Sequence, residues 1–472
     1  MYESELALRL TPYVAGEQPK NRKFIKLNTN ENPYPPSPRV AEVLRSFDAA
    51  SLRLYPDMDA TALREAISAV EGVPADWVFC GNGSDEVLAF AFAAFFAGKT
   101  VAIPAVTYSF YPVYANLYGA KVASVPMKPD FSVDVDGLRL SCPIALANPN
   151  APTGIALPLD VLRDLAAYTR DCGEVLLIDE AYAAFAEEVA VPLLREFDNV
   201  IITRTFSKSH ALAGMRVGYA LGHPRLMAAM RRIRDSFNSY PVDRLAQAAA
   251  REAELDTAYT ARIVATISHD RDICRQALAD AGIPVLKSRT NFLFVKASEN
   301  DAAPIQQLLR DDGILVRHFS TPHLQSYLRV TIGTTEDMRI VTERLIRRIK
   351  GESLTGKQKF QLVLKEMKIG FSNGMILGTI SFALVGLYIA LFKGKTFLFA
   401  YAVSGCIGLS LVLAMVVSGA VGTCIPLFFK KIHVDPAVAS GPLITTVNDL
   451  VAVISYYGLS WIFLINMVHL VG

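Results

Sequence analysis

Lys208 lies in the run TFSKSHALAGMRVGY at residues 205–219, framed by small and hydroxyl residues, with Arg216 eight positions on. A lysine drawn out of water holds its proton less tightly, and its neutral amine is a nucleophile that forms a Schiff base with an aldehyde. Ser207 and Arg216 are the donor types that a phosphate group needs close by. An aldehyde that also carries a phosphate engages all three residues, and pyridoxal phosphate is such a molecule.

A pyridine ring used as an electron sink needs an acid at its nitrogen. The run VLLIDEAY at 175–182 offers Asp179 at the end of an apolar stretch, with Tyr182 three residues on as a hydrogen-bond partner for the ring's phenolic oxygen. Alone, a strand-end acid that caps the next turn is the commoner case. GNGSDE at 81–86 precedes an apolar helical stretch, 87–96. Free N–H groups at such a helix start bind phosphate. Judged alone, the segment reads better as an ordinary N-cap with Ser84 as the cap. NPNAPTG at 148–154 is a rigid turn that would hold Asn150 near the ring oxygen, and Tyr108, in PAVTYSF at 104–110, would stack on the ring face. For an isolated tyrosine, core packing is the usual role.

These residues need elements to position them. Residues 41–245 alternate short apolar runs with amphipathic helical patterns. The runs 101–103, 144–147, 175–178 and 200–202 read as buried strands, each followed at once by polar or Gly/Pro-containing residues. This is an α/β pattern with functional groups at the carboxyl ends of parallel strands. A Pro/Asn-rich arm, 1–40, precedes it. A smaller α/β lobe follows at 246–350, with strands expected near 291–295 and 327–332. Residues 351–368 read as a linker leading into a basic helix.

The last hundred residues obey different rules. The chain is 52% hydrophobic, and from residue 369 onward its only Asp, Glu, Lys or Arg residues are Lys393, Lys395, Lys430, Lys431, Asp435 and Asp449. Apolar stretches at 369–392, 397–429 and 436–472 each exceed the roughly 20 residues that cross a bilayer. Lysines at 357, 359, 365 and 368 before the first, with Lys430 and Lys431 after the second, favour a cytoplasmic N-terminal side and an external C-terminus. Asp449 sits just inside the third stretch, where an acid is costly and usually marks an ion path, such as one for Mg²⁺. Its structural alternative is a helix-packing hydrogen bond aided by Thr445, Thr446 and Asn448. The formal net charge of +2 gives no reason to expect a nucleic-acid partner, and six scattered cysteines with no Cys-x-x-Cys pair argue against a disulfide frame or a zinc site.

In order and spacing, the glycine-rich turn, aromatic, Asn-Pro turn, Asp/Tyr, Ser-Lys and Arg resemble the fold type I PLP-dependent transferases, in which a large α/β domain is joined to a small α/β domain. With LTPY at 10–13, NENP at 30–33, LYPD at 54–57 and YLRVTIGT at 327–334, residues 1–350 resemble the histidinol-phosphate aminotransferase family. The resemblance implies Lys208 as the Schiff-base lysine and proton carrier, Asp179 at the pyridine nitrogen and Tyr182 at the ring oxygen. It implies a phosphate site of the Ser84 and Asp85 backbone, Ser207 and Arg216. It also implies a homodimer in which Tyr55 reaches the neighbouring subunit's cofactor. Arg329 would take the substrate carboxylate, Arg317 with Arg329 its phosphate, and Tyr13 would close over it. Many relatives carry asparagine directly before Pro-Thr-Gly, at the ring oxygen; here that position is Ala151, and Asn150 is the neighbour that would substitute.

The tail resembles the C-terminal, all-α part of MgtE-type magnesium transporters, through the glycines at 370, 374 and 378, the Pro426 to Lys431 turn and the 435–449 run. Asp449 falls on that family's pore carboxylate, but only the last three spans are represented. The expected activity is amino transfer from L-histidinol phosphate to 2-oxoglutarate by a cytoplasmic part held on a membrane. The alternatives are an aromatic amino acid aminotransferase of the same fold, a phosphoamino-acid decarboxylase, and a magnesium transporter that carries the enzyme part as cargo.

Overall fold

The computed structural model describes residues 2–12, 16–19, 24–351, 356–394, 396–431 and 436–462. Tyr13, residues 352–355 of the expected linker, and 463–472 of the expected third span lie outside them. The chain divides into two units, Met1–Glu352 and Ser353–Gly472.

The described residues of the first unit form eleven strands: β1 (Ile25–Leu27), β2 (Val78–Gly81), β3 (Thr100–Pro104), β4 (Lys121–Val125), β5 (Ile144–Ala147), β6 (Leu176–Asp179), β7 (Val200–Thr205), β8 (Gly218–Gly222), β9 (Phe292–Lys296), β10 (Ile314–His318) and β11 (Tyr327–Thr331). Seven form one sheet in the order β2-β8-β7-β6-β5-β3-β4. The β3 to β7 block is parallel; β8 runs antiparallel to it at one side, and β2, antiparallel to β8, regains the direction of the block. Alternate residues of the central strands serve opposite faces. Leu176, Ile178, Val200 and Ile202 enter one apolar cluster, and Leu177, Ile201 and Ala145 enter another with Phe92 and Tyr111. Burial on both faces explains why these strands are continuous apolar runs. From β3 the chain leads to β4 on one side and then returns to β5 on the other, so a crevice opens at the carboxyl ends of β3 and β5.

The second sheet has the order β1-β10-β11-β9. Its first strand comes from the N-terminal arm: Ile25 pairs with Ile314 and Leu27 with Val316. The arm is therefore part of the small lobe and not a segment apart from it. The lobe boundary expected at 245 also moves. The helix Arg244–Leu255 turns Ala246, Ala249, Ala250 and Ala253 into the core of the large sheet, so the change of lobe comes at the Asp256 cap that opens helix Thr257–Asp280.

The second unit is helical: Gly356–Phe392, Phe397–Lys431 and Pro436–Ser460. The basic stretch and the first expected span are one continuous helix. Among the described residues two segments are long and apolar enough to cross a membrane, Val363–Phe392 and Phe397–Ile425. The first packs on the second through glycines one turn apart. A Cβ on Gly374 would lie 2.8 Å from the Val412 Cα, and one on Gly378 would lie 2.7 Å from the Gly408 carbonyl oxygen. Small residues at such a seam let two backbones approach closely.

In the first unit, Gly218 of β8 lies directly beneath the start of the helix Gly83–Phe95. A Cβ there would press on the Ser84 nitrogen and the Gly83 carbonyl carbon, both backbone atoms. Gly218→Ala should therefore destabilise the enzyme unit by about 1–3 kcal/mol, the usual range for overpacking, seen as a lower melting temperature of its unfolding transition.

Candidate active site

The crevice is a cavity of about 290 Å³ that brings together Ser84, Asp85, Tyr108, Asp179, Tyr182, Ser207, Lys208 and Arg216, residues from four separate runs of the sequence, with Thr29, Glu31 and Ala151. Asp179 ends β6 and is 4% exposed. Its carboxylate accepts from the Tyr111 hydroxyl (3.0 Å), the Ala181 N–H (3.2 Å) and the Thr203 hydroxyl (3.4 Å). These donors are neutral, and among the described residues Asp179 forms no ion pair. Burial outweighs them and pushes its pKa up to about 6.

Lys208 follows β7 at the end of the turn through Phe206. Its Nζ lies 3.4 Å from the Thr29 carbonyl oxygen and 5.9 Å from the centre of the Tyr182 ring. Burial, helped by the positive charge of Arg329, lowers its pKa to about 8, against the pull of Asp85 and Glu31. Arg216 adopts a left-handed backbone, φ 53°. Its Nη2 donates to Asp85 Oδ2 at 2.8 Å, and the guanidinium lies against Gly83, where a side chain would collide with it. Asp85 also accepts from the Tyr108 hydroxyl at 2.8 Å, so one carboxylate braces both the aromatic and the arginine. Ser207 is buried and its hydroxyl accepts from Thr205 at 3.0 Å.

Two sequence expectations change. Ser84 is not the cap of its helix. Asn82 occupies that position without a side-chain bond, and Ser84 lies inside the first turn, because Gly83 at φ 81° lets the helix begin one residue earlier. Asn150 does not face the cleft. Its Nδ2 donates to the Val106 carbonyl and to Thr153 Oγ1, both at 2.9 Å, so the side chain holds the turn closed while Ala151 lines the cavity.

The other expected residues lie outside this cavity. Tyr55 is 78% exposed and stacks on Tyr240 at 4.7 Å. Arg317 and Arg329 are opposite one another in the β10–β11 register, each within 6 Å of the Phe319 ring centre, and Arg329 Nη2 donates to the Asn28 carbonyl at 3.1 Å. In the second unit Asp449 is exposed on its helix, and among the described residues no group of three or more His, Cys, Asp or Glu side chains could hold a metal ion. Residues that motif reading missed are Tyr111 and Thr203, which hold Asp179, and Thr29 and Asn30. The arm motif was visible, but nothing in it tells that Asn30 Nδ2 donates to the Tyr182 hydroxyl at 2.7 Å.

The family model for aminotransferase class I and II matches residues 22–345. The histidinol-phosphate aminotransferase of Gluconacetobacter diazotrophicus is 48% identical over 344 residues, covering 72% of this chain and 96% of that protein. The enzyme of that name from Syntrophus aciditrophicus is 46% identical over 356 residues, covering 73% and 98%. The chain belongs to the class I and II aminotransferases. The solved structure of histidinol-phosphate aminotransferase from Sinorhizobium meliloti in complex with pyridoxal-5′-phosphate matches with a TM-score of 0.67 at 26% identity, covering 75% of this chain and 98% of that one. A second family model, for divalent cation transporters of the MgtE type, matches residues 333–459. Its first residues overlap the aminotransferase. There Met338, Val341 and Leu345 of helix Thr335–Ile349 pack into the core of the small lobe.

This aminotransferase is a PLP-dependent enzyme, and its residues fit the cofactor. Gly83 and Gly218 leave a cradle at the helix start that a Cβ would fill, beside Ser207 and Arg216. Asp179 is a buried carboxylate whose hydrogen-bond donors are all neutral, as a partner for a pyridinium should be. Lys208 is a buried amine that sheds its proton near neutrality. The unloaded aminotransferase should therefore take up pyridoxal phosphate with a marked pH dependence. Only neutral Lys208 attacks, so below its pKa of about 8 the rate should rise about tenfold per pH unit and then level off. Stopped-flow absorbance between pH 6 and 9.5 checks this, and a flat profile would contradict it.

Proposed function

We propose that residues 1–350 transfer the amino group of L-histidinol phosphate to 2-oxoglutarate, producing imidazole acetol phosphate and L-glutamate. The observation that supports an anionic amino donor is the cross-strand pair Arg317 and Arg329, two guanidinium groups that a phosphate or a carboxylate can bridge. That relatives near 48% identity carry the name histidinol-phosphate aminotransferase supports this choice of amino donor.

When bound, the cofactor supplies an electron sink for the charge that develops at the donor's Cα. The chain's own groups do the rest. Asp179 keeps a proton on the pyridine nitrogen. Tyr182 bonds the ring oxygen and Tyr108 covers the ring face. The backbone N–H groups of Ser84 and Asp85, with Ser207 and Arg216, hold the phosphate. Lys208 Nζ carries the proton between the donor's Cα and the cofactor's C4′. Asn150 is left out of this set, since its Nδ2 is engaged by the Val106 carbonyl and by Thr153. Exposed Tyr55 reaches the cofactor phosphate of a second subunit in a homodimer, and Tyr13, outside the described residues, closes over the substrate.

The second unit we read as a membrane attachment that leaves the enzyme on the cytoplasmic side; its two long apolar helices support this.

In detergent-purified full-length protein, Lys208→Ala should abolish the bound-cofactor absorbance band and turnover. In a donor panel, histidinol phosphate should exceed phenylalanine and tyrosine by roughly 100-fold in kcat/KM, because a phosphate brings more charge to the two arginines than a carboxylate does. Arg329→Leu should cost roughly 30- to 1,000-fold with histidinol phosphate. Faster turnover of phenylalanine or tyrosine would replace this reading with the aromatic one. On cell fractionation the activity should pellet with membranes, resist a carbonate wash and come free in detergent. Activity in the soluble fraction would refute the attachment.

A further inference from the structure

Asn30 sits in a left-handed conformation, φ 57°, and is 2% exposed. Four hydrogen bonds surround it. Its backbone N–H donates to Thr331 Oγ1 at 3.0 Å, and its carbonyl accepts from Asn291 Nδ2 at 3.1 Å. In its side chain, Oδ1 accepts from Thr331 Oγ1 at 2.9 Å and Nδ2 donates to Tyr182 Oη at 2.7 Å.

These contacts allow one consistent set of protons. The Thr331 hydroxyl accepts from the Asn30 N–H and has a single proton to give. Given to Asn30 Oδ1, that proton leaves every group satisfied. With the amide flipped, Thr331 would face two N–H donors, and its own proton would be unspent at a site 1% exposed, which costs the desolvation of a buried polar group. The NH₂ end therefore faces Tyr182. An NH₂ group only donates, so Tyr182 Oη accepts there and its own proton has to point elsewhere. Tyr182 lines the cavity.

We infer that Asn30 is a positioning residue that keeps Tyr182 a hydrogen-bond donor aimed into the cleft, at the ring oxygen of pyridoxal phosphate. The inference rests on the assignment of Tyr182 to that oxygen made above. It explains how the site manages with Ala151 in the turn and Asn150 facing away. The single hydroxyl left at the ring oxygen has its direction set from behind. The charged groups around Tyr182 are Arg329, Asp179 and Lys208, and all are unchanged in the variants below.

A donor at the ring oxygen draws negative charge from it and lowers the pH midpoint at which the absorbance of the bound cofactor changes. Titrations of full-length, cofactor-loaded protein in detergent read this directly. Tyr182→Phe should raise the midpoint by roughly one unit. Asn30→Asp should raise it nearly as much, because a carboxylate accepts the Tyr182 proton and reverses the bond. Asn30→Gly tolerates the left-handed backbone and should raise it by a smaller amount. In a Tyr182→Phe background Asn30→Gly should not move the midpoint further and Asn30→Asp should move it less than it does in the wild type, by its added charge alone, and a merely structural Asn30 would not give this pattern. The inference is overturned if Tyr182→Phe moves the midpoint while both Asn30 variants keep the wild-type value, or if the Asn30 shifts persist undiminished without the hydroxyl. If Tyr182→Phe itself leaves the midpoint in place, the assignment of Tyr182 fails, and the inference with it.

Discussion

A carboxylate buried at the end of a central strand needs a cation, and the described residues of the enzyme unit do not supply one. Asp179 receives three neutral donors, which orient it without neutralising it. Its folded pKa of about 6 lies above the usual value near 4, so ionisation in the unloaded protein opposes folding. Well below pH 4 the carboxyl is protonated in both states and nothing is lost. As pH rises towards 6 the unfolded chain ionises first and stability falls. Above about 6 the full cost is present, on the order of 3 kcal/mol. A protonated pyridine nitrogen reverses that sign. The strand end is thus poorly suited to standing empty and well suited to a cationic ring, and the dipoles of Tyr111 and Thr203 are spent on aiming the carboxylate.

The same economy governs the arm. In five consecutive residues it touches almost every functional group of the small-lobe side. The Asn28 carbonyl takes Arg329, the Thr29 carbonyl lies near Lys208, Asn30 bonds Tyr182, Glu31 lines the cavity, and Asn32 donates to the carbonyls of Lys208 and Ser209. Because β1 precedes this stretch and pairs with β10, the small lobe fixes the arm before it crosses the cleft. A residue in the arm can then act on a tyrosine 152 positions away as rigidly as if both belonged to one turn.

What could be read from the sequence follows from this arrangement. Strands buried on both faces announce themselves: 144–147 coincides with β5, and 175–178 and 200–202 overlap β6 and β7. Strands that break the apolar pattern do not. In β4, Lys121 and Val122 are exposed, and β8 begins and ends with glycine and starts within what reads as a ligand motif. Side chains that meet the cofactor directly lie in short motifs, because strand ends and helix starts put neighbours in sequence at one point in space. Side chains that orient them do not: Tyr111 is 68 residues from Asp179, and their link is a property of the fold. The misplacement of Asn150 has the same origin. Two adjacent residues of one turn face opposite ways, and composition cannot tell which faces the cavity.

Glycine shows how the two units use one residue for different ends. At Gly83 and Gly218 the missing Cβ lets an arginine and a strand approach the start of a helix, leaving N–H groups open to an anion. At Gly374 and Gly378 it lets one apolar helix lie against another where lipid offers no hydrophobic drive for their association. The first use builds a site and the second builds only a seam. All the cavity-lining residues fall between Thr29 and Arg216, and the small-lobe core is closed by Leu345, before the boundary at Glu352. The cavity is thus built within the first unit, and the attachment proposed for the second leaves its lining untouched.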